Sequence, residues 1–166
     1  RRGFAAVTFA RCGRAAICER QEKPVEHKLT FLDGAMGTML QRHGLKLGEI
    51  PELLAITNPD LLTNIHRQYI EAGTEIVYAN TFGANRRKMQ KTPYTVADVV
   101  SAAIAAAKKA CIGTSARVAL DIGPLGELLE PMGTLPFETA VDMFAEIVDA
   151  GVNAGADLIC IETMTD

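Results

Sequence analysis

Residues 58–80 read NPDLLTNIHRQYIEAGTEIVYAN, and this stretch contains a complete helix-to-strand unit. Asn58 and Pro59 are typical of a helix N-cap and the first helical position, and apolar residues then recur at helical spacing as far as Gly73. The short apolar run 75–79 follows, and such runs are typical of strands buried on both faces. The stretch therefore predicts a helix that leads into a strand of a parallel sheet.

The same alternation of apolar runs and amphipathic stretches extends over the chain from residue 29. Strands are predicted at 29–32, 75–79, 117–120 and 157–161, with a second helix beginning at Thr95 and ending near Gly113. A third helix follows Pro136 and ends near Gly155; its predicted core-facing residues are Phe137, Val141, Phe144, Val148 and Val152. Successive βα units of this kind predict an α/β fold with a parallel sheet.

The spacing of the predicted strand ends suggests the architecture. The residues that follow the strands are Asp33, Asn80, Asp121 and Glu162, separated by 47, 41 and 41 residues. Units of this length suit a (β/α)₈ TIM-type barrel, but a full barrel takes about 250 residues and the chain has 166. We therefore expect a barrel truncated to about its first four βα units.

Composition excludes several classes of protein. Hydrophobic residues make up 48% and charged residues 22%, which is typical of a globular protein rather than a disordered or coiled-coil one. A net charge of −3 and the absence of a long apolar run indicate neither a nucleic acid partner nor a membrane. Five of the first twenty residues are Arg, so 1–28 is interpreted as an unassigned basic extension.

The cysteines and histidines show no ligand spacing. Cys12, Cys18, Cys111 and Cys160 are scattered without a Cys-x-x-Cys pair, which indicates reduced thiols in a cytoplasmic protein rather than a zinc site or a disulfide framework. We expect surface or hydrogen-bonded roles for the histidines, which are His27, His43 and His66.

Polar residues follow each predicted strand, at the edge where the βα loops of a parallel sheet converge. Asp33 precedes Gly34, and the backbone N–H groups of such a turn can approach a small anion such as a carboxylate; a plain tight turn fits the same residues equally well. Glu162 follows an apolar strand and would need a cationic partner, either a ligand ammonium group or a protein Arg or Lys.

The loop 80–88 carries further polar residues. Asn80 is expected to bind a ligand or to shape the site, whereas Asn85 is expected to cap the following helix. The basic run 86–88 is interpreted as a solvated helix end.

Six motifs together resemble the homocysteine S-methyltransferase family, most closely the homocysteine-binding N-terminal domain of cobalamin-dependent methionine synthases. They lie at 31–41, 56–60, 69–76, 80–85, 121–124 and 161–163. The resemblance implies a (β/α)₈ barrel in which zinc activates the thiol of homocysteine, and methylcobalamin on other domains supplies the methyl group. It also implies folate- and cobalamin-binding domains as partners.

Carried onto this sequence, the resemblance assigns substrate-binding roles. The turn formed by Asp33, Gly34 and Ala35 would hold the amino acid end of homocysteine together with Glu162. Asn80 and Asp121 would shape the mouth of the site.

The sequence departs from the family pattern in its cysteines. The family's zinc ligands follow later barrel strands, and none of the four cysteines occupies such a position. We therefore expect residues 29–166 to be the N-terminal half of the barrel, with no catalytic residue and no zinc or methylcobalamin bound, and inactive alone. Two alternatives stay open: a homocysteine methyltransferase that uses S-methylmethionine or betaine, and a non-catalytic half-barrel that serves as an assembly module.

Overall fold

A computed structural model describes residues 29–165, in which helices pack on one face of a parallel sheet. The strands are β1 (Ile76–Tyr78), β2 (Arg117–Ile122) and β3 (Leu158–Ile161), hydrogen-bonded in chain order. Val77 lies opposite Val118, and Asp121 lies opposite Cys160. The predicted parallel α/β architecture is confirmed. The basic extension with Cys12, Cys18 and His27 lies outside the described residues.

The first predicted strand is reduced to a single bridge. Leu32 pairs in parallel with Ile76, and Glu75 N donates to Phe31 O at 2.8 Å. Leu29 and Phe31 are 73% and 61% exposed, so the prediction of a strand buried on both faces is wrong here. Among the described residues, only one edge of this segment has a strand to pair with, and one bridge does not cover its side chains. The segment nevertheless continues the order of the sheet, beside β1.

The helices alternate with the strands. They are α1 (Met36–Arg42), a 3₁₀ turn (Pro51–Leu53), α2 (Leu54–Thr57), α3 (Pro59–Glu71), α4 (Arg86–Met89), α5 (Val96–Cys111) and α6 (Phe137–Asn153). The predicted caps are present. Asn58 Oδ1 accepts from Leu61 N at the start of α3, and Thr95 and Asp98 form a reciprocal capping box at the start of α5.

The core lies between the sheet and α3, α5 and α6. Helix α5 supplies much of it, with Val99, Val100 and Ile104 fully buried, as its apolar spacing predicts. Helix α3 packs along α5, where the Thr63 hydroxyl donates to Ala106 O at 3.2 Å. This packing fixes α3 behind β1 and therefore beside the loop that begins at Asp33.

The face of α6 that packs on the core differs in part from the predicted one. The buried residues are Ala140, Met143, Ile147, Ala150 and Gly151, whereas Phe137, Val141 and Val152 are exposed. Close packing contributes to this: a Cβ at Gly151 would lie 2.4 Å from a Leu120 methyl carbon, so the helix approaches β2 most closely on the side of Gly151. Phe144 and Val148, the other two predicted core-facing residues, are partly buried and pack against the core, so the prediction is wrong for the three exposed residues only.

Candidate functional site

A cavity of about 470 Å³ lies at the carboxyl ends of the strands. It is lined by all six residues that the sequence predicts for the site: Asp33, Gly34, Ala35, Asn80, Asp121 and Glu162. Met36, Gly37, Pro51, Glu52, Tyr78, Ala79, Phe82 and Thr163 complete its lining. The order of the parallel sheet explains this convergence, because the residue after each strand emerges at the same edge.

Asp33, which follows the bridge residue Leu32, is hydrogen-bonded to β1. Its backbone N–H donates to Ile76 O at 3.2 Å, and its Oδ2 accepts from Tyr78 N at 3.1 Å. The side chain is 3% exposed. Burial raises the pKa of Asp33 to about 7, aided by the nearby Glu162 carboxylate and opposed by the hydrogen bond from Tyr78. The carboxyl group is therefore poised to lose its proton when a cation approaches.

Asp121, at the end of β2, is the second carboxyl group of the cavity with a raised pKa. Its backbone N–H donates to Thr81 Oγ1, and its Oδ1 is buried without a hydrogen-bond partner in residues 29–165. Burial raises its pKa to about 7, and the carboxylates of Glu162, Asp33 and Glu52 add to the effect. As for Asp33, a nearby cation would favour its ionised form.

The turn at Gly34 and Ala35 is packed against α3. The Tyr69 hydroxyl lies 3.4 Å from Ala35 O, to which it donates. A Cβ at Gly34 would lie 2.9 Å from Tyr69 Cε1, so glycine is what allows the backbone to come this close to the ring. The turn is thus held by a helix side chain rather than being a free loop.

Asn80 has a structural partner. Its Nδ2 donates to Pro51 O at 2.8 Å, which ties the end of β1 to the 3₁₀ turn at the cavity rim. The predicted role of Asn80, to bind a ligand or to shape the site, stays a prediction. Asn85 caps α4 by accepting from Lys88 N at 3.1 Å, as predicted.

The basic run 86–88 forms ion pairs across the molecule. Arg86 pairs with Glu146, Arg87 with Glu127, and Lys88 with Glu52. The expectation of a simply solvated helix end is therefore incomplete, because each cation has an acidic partner.

Glu162 differs from its prediction. It is exposed at the cavity mouth, and β3 before it is only partly buried, with Ile159 and Ile161 46% and 66% exposed. The prediction of a buried acid on a buried strand is wrong because β3 is an edge strand of the described sheet, hydrogen-bonded to β2 alone. Its N–H still donates to Ile122 O at 3.1 Å, which keeps it beside Asp121.

Glu52 lines the cavity and was missed by the sequence reasoning. It is 3% exposed, and its Oε1 accepts from Gly83 N at 2.8 Å and from Lys88 Nζ at 3.2 Å. Its Oε2 is buried without a hydrogen-bond partner among the described residues. The signal was present: Glu52 is the only charged residue in the run 50–56. A lone acid in an apolar run is worth testing as a site residue.

His66 also departs from expectation. It is fully buried on α3, and neither ring nitrogen has a hydrogen-bond partner in the described part of the chain. The prediction of a surface or hydrogen-bonded histidine is therefore wrong. Helical spacing places residue 66 on the face shared with Leu62 and Ile65, which packs into the core.

The two described cysteines are separate. Cys111 is half-buried at the end of α5, where burial raises the pKa of its thiol. Cys160 lies on β3, where its Sγ donates to Tyr78 Oη at 3.0 Å. Within residues 29–165, no group of three or more His, Cys, Asp or Glu side chains has a geometry that could hold a metal ion. The described residues thus do not fit the zinc site that the resemblance implies.

Comparison with known proteins identifies the family. A family model described as homocysteine S-methyltransferase matches residues 30–166. The chain belongs to the homocysteine S-methyltransferase family. Methionine synthase of Mycobacterium tuberculosis is 34% identical over 148 residues, and that of Mycobacterium leprae is 33% identical over 149. Each match covers 81% of this chain and 12% of the relative, so the chain spans about an eighth of the length of these two proteins.

A solved structure supports the fold. The homocysteine methyltransferase MmuM from Escherichia coli, in its oxidized form, superposes with a TM-score of 0.72 at 22% identity. The match covers 82% of this chain and 53% of MmuM. At this identity the likeness shows the fold, a parallel α/β arrangement shared with part of a homocysteine methyltransferase. None of the helices in the described range is long and apolar enough to cross a membrane.

Proposed function

We propose that residues 29–166 are the N-terminal half of a homocysteine-binding (β/α)₈ barrel that serves a methyltransferase of the methionine synthase type. The observation that carries the proposal is the acidic cavity at the ends of the strands. Family membership supports the substrate class, and two curated relatives at 33–34% identity are methionine synthases.

The charges of the cavity favour a ligand with an ammonium group. Asp33, Asp121, Glu162 and Glu52 line it, and Glu52 forms an ion pair with Lys88. Asp33 and Asp121 have a pKa near 7, because each is buried and faces other carboxylates. A bound ammonium group would neutralise this cluster and stabilise the ionised form of both.

The ammonium group and the carboxylate of homocysteine need partners of opposite charge character. In the proposed arrangement Glu162 and Asp33 bind the ammonium group of homocysteine, and backbone N–H groups of the turn at Gly34 and Ala35 face its carboxylate. Asn80 and Asp121 shape the mouth. This arrangement orients the amino acid end and leaves the thiol side chain free to extend toward the reaction partner.

Activation of the thiol is not assigned to these residues. Zinc coordination would supply a thiolate at neutral pH in the complete enzyme, but residues 29–165 hold no fitting ligand set. The proposed role of this part is therefore to bind and orient homocysteine. Methylcobalamin as methyl donor, folate- and cobalamin-binding partner domains, a cytoplasmic location and inactivity of these residues alone belong to the same proposal.

Isothermal titration calorimetry with the full chain tests the binding role. Glu162→Gln should weaken homocysteine binding by about tenfold, since it removes a charge-assisted contact. Glu138→Gln, an exposed glutamate in the first turn of α6, is the matched control and should bind as the wild type does. 4-Mercaptobutanoate lacks the ammonium group and should bind at least about tenfold more weakly than homocysteine. Equal affinities for both ligands, or an unaffected Glu162→Gln variant, would contradict the proposal.

A further inference from the structure

Helix α3 places a buried imidazole next to Asp33, one of the residues that line the cavity. His66 is completely inaccessible to solvent, and both of its ring nitrogens lack hydrogen-bond partners within residues 29–165. A neutral imidazole carries one donor and one acceptor, and leaving both unpaired in the core is costly. Buried polar groups without partners call for an explanation in terms of function or of a bond made in another state.

The nearest acidic atom to this imidazole belongs to the site. His66 Nδ1 lies 3.9 Å from Asp33 Oδ2, the oxygen that accepts from Tyr78 N. That distance is longer than a hydrogen bond by about 1 Å. A carboxylate oxygen has room for two donors, so a small movement of either side chain would complete the bond without breaking the one from Tyr78.

We propose that His66 is a positioning residue for the site: its Nδ1–H donates to Asp33 Oδ2 when Asp33 is ionised, and the bond holds that carboxylate in place for a ligand ammonium group. The identity of the ligand rests on the proposed function above. The His66–Asp33 contact is argued from the structure alone and does not rest on the identity of the ligand.

The charges around the pair favour a neutral donor. Burial lowers the pKa of His66 to about 4, so the imidazole is uncharged at neutral pH and keeps a single N–H. The ionisable groups that act on Asp33 are Glu162 at the end of β3 and Asp121 at the end of β2, and both oppose its ionisation. Tyr78 contributes its backbone N–H from β1. From α3, His66 would supply the second donor that an ionised Asp33 needs.

The same face of α3 contacts the turn a second time. Tyr69 lies three residues after His66 and therefore on the same side of the helix, and its hydroxyl donates to Ala35 O. The helix thus touches the loop at Asp33 and again at Ala35. Two contacts from one rigid helix are suited to fixing the orientation of a short loop.

Nuclear magnetic resonance of the ligand-free chain tests the pair directly. The pKa of Asp33 would be followed through its carboxyl carbon in the wild type and in His66→Asn, His66→Gln and His66→Leu. The Asn amide nitrogen is close to the position of Nδ1, whereas Gln places its nitrogen nearer Nε2 and Leu has no donor. We expect Leu and Gln to raise the pKa of Asp33 by about 1 and Asn to keep it near the wild-type value.

The imidazole nitrogens provide an independent readout. Above the pKa of Asp33, the nitrogen-15 signals of wild-type His66 should show the proton on Nδ1. A proton on Nε2 at that pH, or an Asp33 pKa that is the same in wild type and His66→Leu, would overturn the inference. A purely structural role for His66 requires neither a proton on Nδ1 nor a change in the pKa of Asp33 in His66→Leu.

Homocysteine binding separates this inference from the proposed function. If both are right, His66→Leu raises the dissociation constant by about tenfold and His66→Asn restores most of the affinity. If the wild type does not bind homocysteine but the Asp33 titration responds as expected, the contact stands and the ligand assignment fails. If binding occurs and the titration does not respond, the ligand assignment stands and the contact fails.

Discussion

The Thr81 hydroxyl group bonds to both backbone groups of Asp121. It donates to Asp121 O at 2.7 Å and accepts from Asp121 N at 3.0 Å. β1 ends at Tyr78, and the next backbone hydrogen bond to β2 runs from Ala79 N to Ala119 O. Beyond it, the side chain of Thr81 takes the place of a strand backbone and bonds to β2. One buried hydroxyl therefore fixes the position of a carboxyl group in the candidate site.

Thr81→Val should destabilise the protein, because valine keeps the shape of the side chain but leaves two buried backbone groups of Asp121 unpaired. We expect a loss of about 1–3 kcal/mol in the free energy of unfolding, measured by urea denaturation. Thr139→Val, at an exposed position of α6, is the control and should change it by less than about 0.5 kcal/mol. Equal effects of the two substitutions would show that the paired hydrogen bonds do not matter.

Glu52 should stabilise the loop after β1 through its acceptor oxygen more than through its charge. Glu52→Ala leaves the buried Gly83 N–H unpaired and should cost about 2 kcal/mol in unfolding free energy. Lys88→Met removes only the half-exposed cation that pairs with the buried Glu52, keeps the hydrogen bond from Gly83 N, and should cost less than about 1 kcal/mol. A Lys88→Met variant less stable than Glu52→Ala would show that the charge of Glu52 contributes more than its acceptor oxygen does.

Local signals in the sequence predicted the architecture well. The Asn58 and Thr95 caps, the helices behind them and the strands around Val77, Val118 and Leu158 all depend on neighbours in the chain. Because parallel strands share one carboxyl edge, the residues that follow them were expected to meet, and the cavity contains all six predicted residues. Their binding role remains a prediction.

What failed depended on partners distant in sequence. The core face of α6 depends in part on how closely Gly151 approaches Leu120, and periodicity does not contain that distance. Glu52 meets Gly83 across 31 residues, and His66 meets Asp33 across the interface between a helix and a loop. Tertiary packing overrides local pattern at such positions, and that is also where the buried unpaired groups occur.

The buried acid at Asp121 should make stability depend on pH. Its pKa is about 7 when folded and 3.8 when exposed, so the folded state holds a proton that the unfolded state releases between these values. Its contribution to stability is complete below about pH 4 and is lost as the pH rises through 7. Asp121→Asn should therefore gain stability relative to wild type between pH 5 and pH 8, on the order of 1 kcal/mol after allowing for solvent screening.

The comparison with wild type matters because His66 acts in the opposite direction. Its lowered pKa makes the protein more stable as the pH rises from about 4 to 6.5, and taking the difference between variant and wild type removes this contribution. Urea denaturation at pH 5 and pH 8 measures the difference in unfolding free energy between Asp121→Asn and wild type. Asp142→Asn, at an exposed position of α6, is the control. A constant difference for Asp121→Asn would contradict the expectation.

Homocysteine binding should release protons near neutral pH. Asp33 and Asp121 hold protons below about pH 7 in the free protein, and an ammonium ligand favours their ionised forms. Affinity should therefore rise between pH 6 and pH 8. Calorimetry in two buffers with different ionisation enthalpies counts the protons, and Asp121→Asn should release fewer. Binding without proton release at pH 6.5 would show that neither carboxyl group changes its protonation when the ligand enters.

Gly34, in the turn after Asp33, and Gly37, in the first turn of α1, should respond differently to replacement by alanine. At Gly34 a new Cβ would lie 2.9 Å from Tyr69 Cε1, so Gly34→Ala must displace the turn or the ring. We expect it to weaken homocysteine binding by about tenfold, since a small misplacement of a binding loop is costly. At Gly37, which also lines the cavity, a Cβ would meet nothing within 4 Å among the described residues. Gly37→Ala should therefore weaken binding much less than Gly34→Ala does and should stabilise α1 by about 0.5 kcal/mol.

The ring of Tyr69 is the proposed cause of that difference, and a double substitution tests it. Replacing Tyr69 with Leu removes the atoms that a Cβ at Gly34 would meet. In the Tyr69→Leu background, Gly34→Ala should therefore cost much less affinity than it does alone, and the two effects should not add. Additive effects would show that glycine is required at residue 34 for the backbone conformation of the turn, and that α3 does not hold the loop through Tyr69.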